Sequence, residues 1–194
     1  MAVAREQKRR DMIKAAIRVF SEYGFDGAKM EFIAKEAGIG KGTIYEYFNS
    51  KEALFEETIR YGVEIYRVGL EACIEQGNDI KEKLNYCCRY NIEFLRKHLD
   101  MMHMTMQAKV LSKEIRMFLI EQHQVIFQRY REMVALAKAE GELRSDLDEE
   151  LAAFLIHGTI DQFSKHRGLK PNVPLQFDHE ALVDVILKGL SKGS

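Results

Sequence analysis

Apolar residues recur at three- and four-residue intervals along almost the whole chain, and no stretch alternates with the two-residue period of a half-buried strand. The pattern predicts an all-α fold of about nine helices. The first spans about Arg5 to Tyr23, with Ile13, Ala16, Ile17 and Phe20 on one face and Gly24 as its stop. Two short helices, Met30 to Ala37 and Lys41 to Phe48, are separated by a few residues containing Gly38. Ser50 then caps a long helix from Lys51 to about Gln76, which ends at Gly77-Asn78. Asp79, with Glu82 three residues on, has the form of a capping box for a helix ending near Lys97. Asp100 opens a methionine-rich segment to about Lys109, Ser112 caps a helix to Glu140-Gly141, and Asp148 caps one from Glu149 to about Lys165. The only two prolines, Pro171 and Pro174, sit in a loop before Asp178 and a last helix to Leu190.

Composition narrows the class. The chain of 194 residues, 46% apolar and 30% charged, is long enough for one or two domains with a sizeable core. Its 29 basic and 30 acidic side chains leave a net charge of −1, which excludes a histone-like coat but not a local basic site. Residues 1–51 carry ten Lys/Arg against seven acids, so that segment is mildly basic and the remainder acidic. The N-terminus lacks the apolar core of a secretory signal, and no apolar run is long enough to span a bilayer. Three cysteines, two of them the neighbours Cys87 and Cys88, read as reduced thiols of a cytoplasmic protein. No metal site or cofactor is expected, since the C-x-x-C spacing is absent and none of the six histidines has another four residues on. No nucleophile elbow, P-loop or dinucleotide fingerprint occurs, so catalysis is not expected.

Residues 30–48 carry a mechanism. Ala34 is small where two helices must approach, Gly38 suits a left-handed turn, and Ile44 plugs the space between them. Those offsets suit a helix-turn-helix, whose second helix enters the major groove of DNA; an ordinary αα-corner has a similar outline. With Ile44 and Phe48 turned inward, the opposite face presents Lys41, Thr43, Tyr45 and Tyr47, groups able to reach phosphates or base edges. Gly42 permits close approach of the backbone. Lys51, in the first turn of the next helix, is placed to hold a phosphate, and Lys29 can reach another. The basic run Arg5, Lys8, Arg9, Arg10 is either a DNA-facing arm or a solvated helix end. Glu31 either accepts from a cytosine amino group or complements the helix dipole.

The stretch Phe20-Ser-Glu-Tyr-Gly-Phe-Asp-Gly, followed by Ile33-Ala-Lys-Glu-Ala-Gly-Ile-Gly-Lys-Gly-Thr-Ile-Tyr-Glu-Tyr-Phe-Asn-Ser-Lys-Glu-Ala-Leu-Phe55, resembles the DNA-binding domain of the tetracycline-repressor (TetR) family. The resemblance covers about residues 8 to 60. It implies a homodimeric, ligand-responsive transcriptional regulator, usually a repressor, with a helix-turn-helix domain over 1–50 and an effector-binding and dimerisation domain over 51–194. It puts Thr43, Tyr45, Tyr47 and Lys51 at DNA-contacting positions, with Lys41 and Gly42 where bases are read. Two positions depart from the family pattern: Ala28-Lys29-Met30 lacks the usual hydroxyl cap, and Gly40 stands where Ser is common.

Beyond residue 60 the resemblance is architectural. The family pairs its last two helices across a two-fold axis, and the last two predicted helices here agree, being apolar on more than one side. Leu151, Phe154, Leu155, Gly158, Leu182, Val185, Ile186 and Gly189 are the expected dimer residues, with intramolecular core as the competing use. An apolar effector is expected among the middle helices, near Met101, Met102, Met104 and Met106 with Tyr90, Phe94 and Phe118; the same residues would also serve as plain core. Asn91 and Gln122 fall on apolar stripes, and a buried amide there needs protein or ligand partners. The partners implied are double-stranded operator DNA, a second copy of the chain and an apolar small molecule, with no membrane. The rival reading is a small all-α enzyme or carrier containing an incidental αα-corner.

Overall fold

A computed structural model describes residues 2–99, 102, 111–168 and 179–190. Among these residues there are eight helices and no strand: α1 Ala2–Gly27, α2 Met30–Glu36, α3 Lys41–Tyr45, α4 Lys51–Gln76, α5 Ile80–Lys97, α6 Lys113–Ala139, α7 Glu149–Gly168 and α8 His179–Leu190. The expected methionine-rich helix after Asp100 and the proline loop with its Asp178 cap lie outside the described residues.

Helix ends follow side-chain chemistry. Ser50 Oγ accepts from the Ala53 N–H at 3.1 Å, Ser112 Oγ from Ile115 at 3.2 Å, and the Asp148 carboxylate from Leu151 at 2.8 Å. Asp79 accepts from the Glu82 N–H at 2.8 Å, as the capping box requires. The return bond differs from the expected one, because Glu82 reaches past Asp79 to the Asn78 N–H and side-chain amide, both at 3.0 Å. The Asp79 position is thereby braced from both sides, and the Ile80 N–H is taken by the Glu142 carboxylate at 2.6 Å.

Gly24 has φ +69°, so α1 changes direction there and adds one further turn up to Gly27. Gly38 has φ +68° and closes α2 with a paired lock: the Gly38 N–H donates to the Lys35 carbonyl at 3.1 Å and the Ile39 N–H to the Ala34 carbonyl at 3.0 Å. The turn of the helix-turn-helix is therefore built on backbone bonds that require a left-handed residue.

The chain divides into two compact units. One holds the residues up to Ile65 together with the start of α6 through Phe118; the other holds Tyr66–Leu99 and the described residues from Leu119 onward. Residues of α4 belong to both units. In the first unit, Met12, Ile13, Ala16 and Phe20 of α1 pack in a core with Ile33 and Ala34 of α2, Ile44 of α3, and Leu54 and Phe55 of α4. Its centre is aromatic: Phe55 meets Phe20 edge-on at 5.1 Å and Phe25 at 5.0 Å. In the second unit Leu84, Cys87 and Cys88 of α5, Tyr130 and Val134 of α6, Ile156 and Ile160 of α7, and Val183 and Ile186 of α8 share one core.

Replacing Gly38 by Ala should destabilise the protein by about 1–2 kcal/mol, the cost of holding a Cβ in the left-handed region. Urea unfolding checks this. Gly40→Ala, at φ −70° with open space around it, is the control and should change stability by less than about 0.5 kcal/mol.

Candidate functional site

The short α3 is held by its inward side. Ile44 is fully buried and Phe48 nearly so, and the Phe48 N–H donates back to the Ile44 carbonyl at 3.0 Å, so the helical path continues past Tyr45 in a tightened turn. With that side anchored, Lys41, Gly42 and Tyr45 are exposed and Thr43 and Tyr47 half-buried. A Cβ added at Gly42 would meet nothing within 4 Å, so the outer surface there is open to a close partner. Hydroxyls, an ammonium and bare backbone on the outer side of a short helix are groups that bind phosphates and base edges.

Two flanking cations are already engaged. Lys41 Nζ donates to the Glu31 carboxylate, tying the start of α3 to the first turn of α2. That hydrogen bond and the charge attraction hold the Glu31 carboxyl below its ordinary pKa and the Lys41 ammonium above its own. Glu31 is thus a partner for Lys41, a use beyond the two weighed from sequence.

Lys51 is used in a way its sequence position did not suggest. Its ammonium donates to the carbonyls of Phe25 at 2.7 Å and Ala28 at 3.2 Å, approaches that of Asp26 at 3.4 Å, and lies 4.4 Å from the centre of the Phe25 ring. The last carbonyls of α1 need donors, and this ammonium supplies them.

Other cations lie nearer the surface. Lys29 is exposed in extended backbone ahead of α2, with its ammonium 5.6 Å from the Phe32 ring and no side-chain cap on the helix. The Arg5 guanidinium lies 5.6 Å from the Tyr47 ring. Arg5 and Tyr47 line a hollow with Glu6, Arg9 and Glu46. Arg9 pairs with Glu57 at 2.5 Å and covers Phe48, so of the basic run it is partly a brace.

In the second unit, Asn91 is buried and its amide has protein partners: Oδ1 accepts from the Tyr66 hydroxyl at 2.6 Å and Nδ2 donates to the Cys87 carbonyl at 2.8 Å. Tyr66, Tyr90 and Phe94 form an aromatic cluster, with ring centres 5.1–5.9 Å apart, that continues to His98. Tyr90 lies against Gly69, where a Cβ would overlap its ring and hydroxyl. Gln122 is half-buried on α6. Phe118 belongs to the first unit and carries the Arg60 guanidinium 4.4 Å from its ring centre. Met102 is half-buried; Met101, Met104 and Met106 lie outside the described residues. Tyr66, Tyr130 and Gly69 were missed from sequence, although Asn91 on an apolar stripe was a signal that polar partners lay opposite.

Of the expected dimer residues, Leu151, Phe154, Leu155 and Val185 are exposed at 67%, 69%, 45% and 68%, a large apolar area for a chain taken alone. Gly158 and Gly189 are exposed and Leu182 is half-buried. Ile186 differs: at 4% exposure it faces the core of its own unit.

An exposed α3 face on a glycine-locked turn, joined to an all-helical body, defines a helix-turn-helix DNA-binding regulator. Residues 12–58 match the family described as "Bacterial regulatory proteins, tetR family", and residues 77–165 the "Tetracyclin repressor-like, C-terminal domain". The chain belongs to the TetR family of transcriptional regulators, whose members are not enzymes. It is similar to the "Fatty acid metabolism regulator protein" of Bacillus subtilis (strain 168), 30% identical over 162 residues that make up 78% of each chain. Among solved structures it resembles the fatty acid degradation regulator FadR from Bacillus halodurans, with TM-score 0.70, 26% identity, and 96% and 95% of the two chains covered. FadR from Bacillus subtilis in complex with stearoyl-CoA has TM-score 0.70 and 25% identity over 95% of this chain and 98% of that one. Among the described residues no helix is long and apolar enough to cross a membrane, and no group of three or more His, Cys, Asp or Glu side chains is placed to hold a metal.

Lys51→Ala should cost about 1.5–3 kcal/mol of stability, the range for hydrogen bonds to a charged group. Lys41→Ala, which breaks an exposed pair, should cost under about 1 kcal/mol. Thermal or urea unfolding of the two variants separates them, and equal losses would remove Lys51 from the role of internal cap.

Proposed function

We propose that the protein is a cytoplasmic, homodimeric repressor that binds a palindromic operator through α3 and is released from it by a long-chain acyl-CoA. The observation that carries the DNA half is the exposed surface of α3, with Thr43, Tyr45 and Tyr47 set around the open backbone of Gly42. Tyr45 and Tyr47 donate to phosphates, while Lys41 leaves Glu31 to reach a base edge, so Glu31 keeps an otherwise unspecific cation occupied until a base competes for it. Lys29 adds a phosphate contact, and Lys51 acts by holding the framework.

The homodimer is supported by the exposed Leu151, Phe154, Leu155 and Val185, with Gly158 and Gly189 allowing two copies to come close and Leu182 at the margin. A two-fold dimer places its recognition helices in major grooves on one DNA face, about 34–36 Å or somewhat more apart. The acyl-CoA is supported by the stearoyl-CoA bound to the FadR of Bacillus subtilis and by the apolar, aromatic-rich second unit around Tyr90, Asn91 and Phe94. Gln122 and the methionines from Met101 to Met106 are the further candidates for its lining. Because residues of α4 belong to both units, this helix is the element through which effector and operator oppose each other.

Selection from random duplexes should return an inverted repeat whose affinity falls steeply with salt. Stearoyl-CoA should release it. Tyr45→Ala should weaken selected and random DNA alike, whereas Lys41→Ala should relax base preference at one position per half-site by about 1–3 kcal/mol. Recovery of sequences without a dyad would overturn the dimeric reading.

A further inference from the structure

Two arginines one helical turn apart on α1 stack on two consecutive aromatic rings. The Arg9 guanidinium lies 5.3 Å from the centre of the Phe48 ring, and the Arg5 guanidinium 5.6 Å from that of Tyr47. Both aromatic residues are held by the end of α3, where the N–H groups of Tyr47 and Phe48 donate to the Ile44 carbonyl at 3.2 and 3.0 Å. The same arrangement thus occurs twice, side by side in the sequence.

The two copies differ in what completes them. Arg9 is half-buried, its guanidinium is paired with the Glu57 carboxylate at 2.5 Å, and the Phe48 ring beneath it is nearly fully buried. Arg5 is exposed and forms no ion pair among the described residues. Its ring is that of a half-buried tyrosine, so the open copy carries a hydroxyl where the closed one carries none. A guanidinium stacked on a ring keeps its planar fork of N–H groups for an anion, and that fork matches the oxygens of a phosphate. Two acids share the hollow with Arg5 and Tyr47. Glu6 is paired with Arg10 at 3.5 Å, whereas exposed Glu46 opposes an anion there. Tyr47 also lies past the last residue of α3, at the end opposite the one from which a helix-turn-helix reads base edges, so DNA meets it with its backbone.

We propose that Arg5 and Tyr47 form one clamp for a DNA backbone phosphate, which takes for Arg5 the part that the Glu57 carboxylate plays for Arg9, while the Tyr47 hydroxyl donates to the same phosphate. The assignment rests on the reading of α3 as the DNA-binding helix and divides the basic run between two tasks. Arg9 holds the fold, and Arg5 holds DNA. Because a phosphate carries no base identity, the clamp adds affinity and orientation without sequence preference.

The test follows the full-length protein by fluorescence anisotropy over a salt series, with a duplex of random sequence and with the duplex that the native protein selects. Arg5→Ala should weaken binding to both by the same factor, roughly 10-fold, and lower the slope of log affinity against log salt by about 0.9 for each bound chain. Tyr47→Phe should weaken both while leaving the slope unchanged. The double variant should lose less than the product of the two single losses, because both groups serve one phosphate. Arg5→Lys should keep the slope but only part of the affinity, since an ammonium lacks the planar fork. Glu46→Gln, which removes the opposing acid, should tighten both duplexes, and no change would count against a phosphate in this hollow. In thermal melting, Arg9→Ala should unfold at a lower temperature and Arg5→Ala at the native one. Equal lowering in the two variants would make Arg5 a second brace and overturn the clamp. An unchanged salt slope in Arg5→Ala, or a loss confined to the selected duplex, would also overturn it, while DNA binding through α3 stands if Tyr45→Ala still weakens both duplexes. If the native protein binds neither duplex, both readings fall together. Should Arg5→Ala fail to fold, Tyr47→Phe in the native and Arg5→Lys backgrounds decides, with a full multiplicative loss counting against a shared phosphate.

Discussion

The Lys51 ammonium sits where three segments converge: the end of α1, the entry to α2 and the first turn of α4. A helix end leaves carbonyl oxygens with no intrahelical donor, and α1 ends twice, first at the left-handed Gly24 and then after one more turn. At the second of these ends, a single long cation from the neighbouring helix takes the carbonyls of Phe25 and Ala28. It lies against Phe25, which packs with Phe55 and Phe20 in the unit whose core also buries Ile33 and Ala34 of α2 and Ile44 of α3. The exposed α3 has only five residues in regular helix, too few to be stable alone, so its orientation is borrowed from this support.

The side chains of this unit separate into those committed to its own framework and those left open on its surface. Ile44, Phe48, Gly38, Lys51 and Arg9 are committed inside the unit. Tyr45, Gly42 and Lys29 stay open, and Lys41 lies between, paired with Glu31 on the surface. Such a pair contributes little to stability in water.

Much of this was legible in the pattern of residues, for physical reasons. Caps at Ser50, Asp79, Ser112 and Asp148 are local chemistry, decided within three residues, and each forms in the structure. The turn at Gly38 is equally local, since only a residue without a Cβ adopts its φ cheaply. What sequence could not supply is the use of long side chains. Lys51 sits where a phosphate ligand belongs by spacing, yet its carbonyl partners lie 23 to 26 positions away. Ile186 shares its helix with Val185, and which of the two faces outward depends on how that helix packs, so the pattern grouped both with the dimer residues. The polar cluster of Tyr66, Asn91 and Tyr130 draws one residue from each of three helices, and only Asn91 stood out against its apolar stripe. Membership of the TetR family rests on matches in both halves of the chain, whereas the individual contacts rest on the geometry around these side chains.

The central claim is that one effector and one operator compete energetically through a shared protein, and thermodynamic reciprocity tests it without assuming any atomic pathway. The affinity for stearoyl-CoA should be measured by calorimetry with the protein free and with it saturated by its selected operator. The account predicts that operator weakens stearoyl-CoA binding by the same factor, between about 5- and 150-fold, by which stearoyl-CoA weakens operator binding. Identical stearoyl-CoA affinities in the two titrations would contradict it.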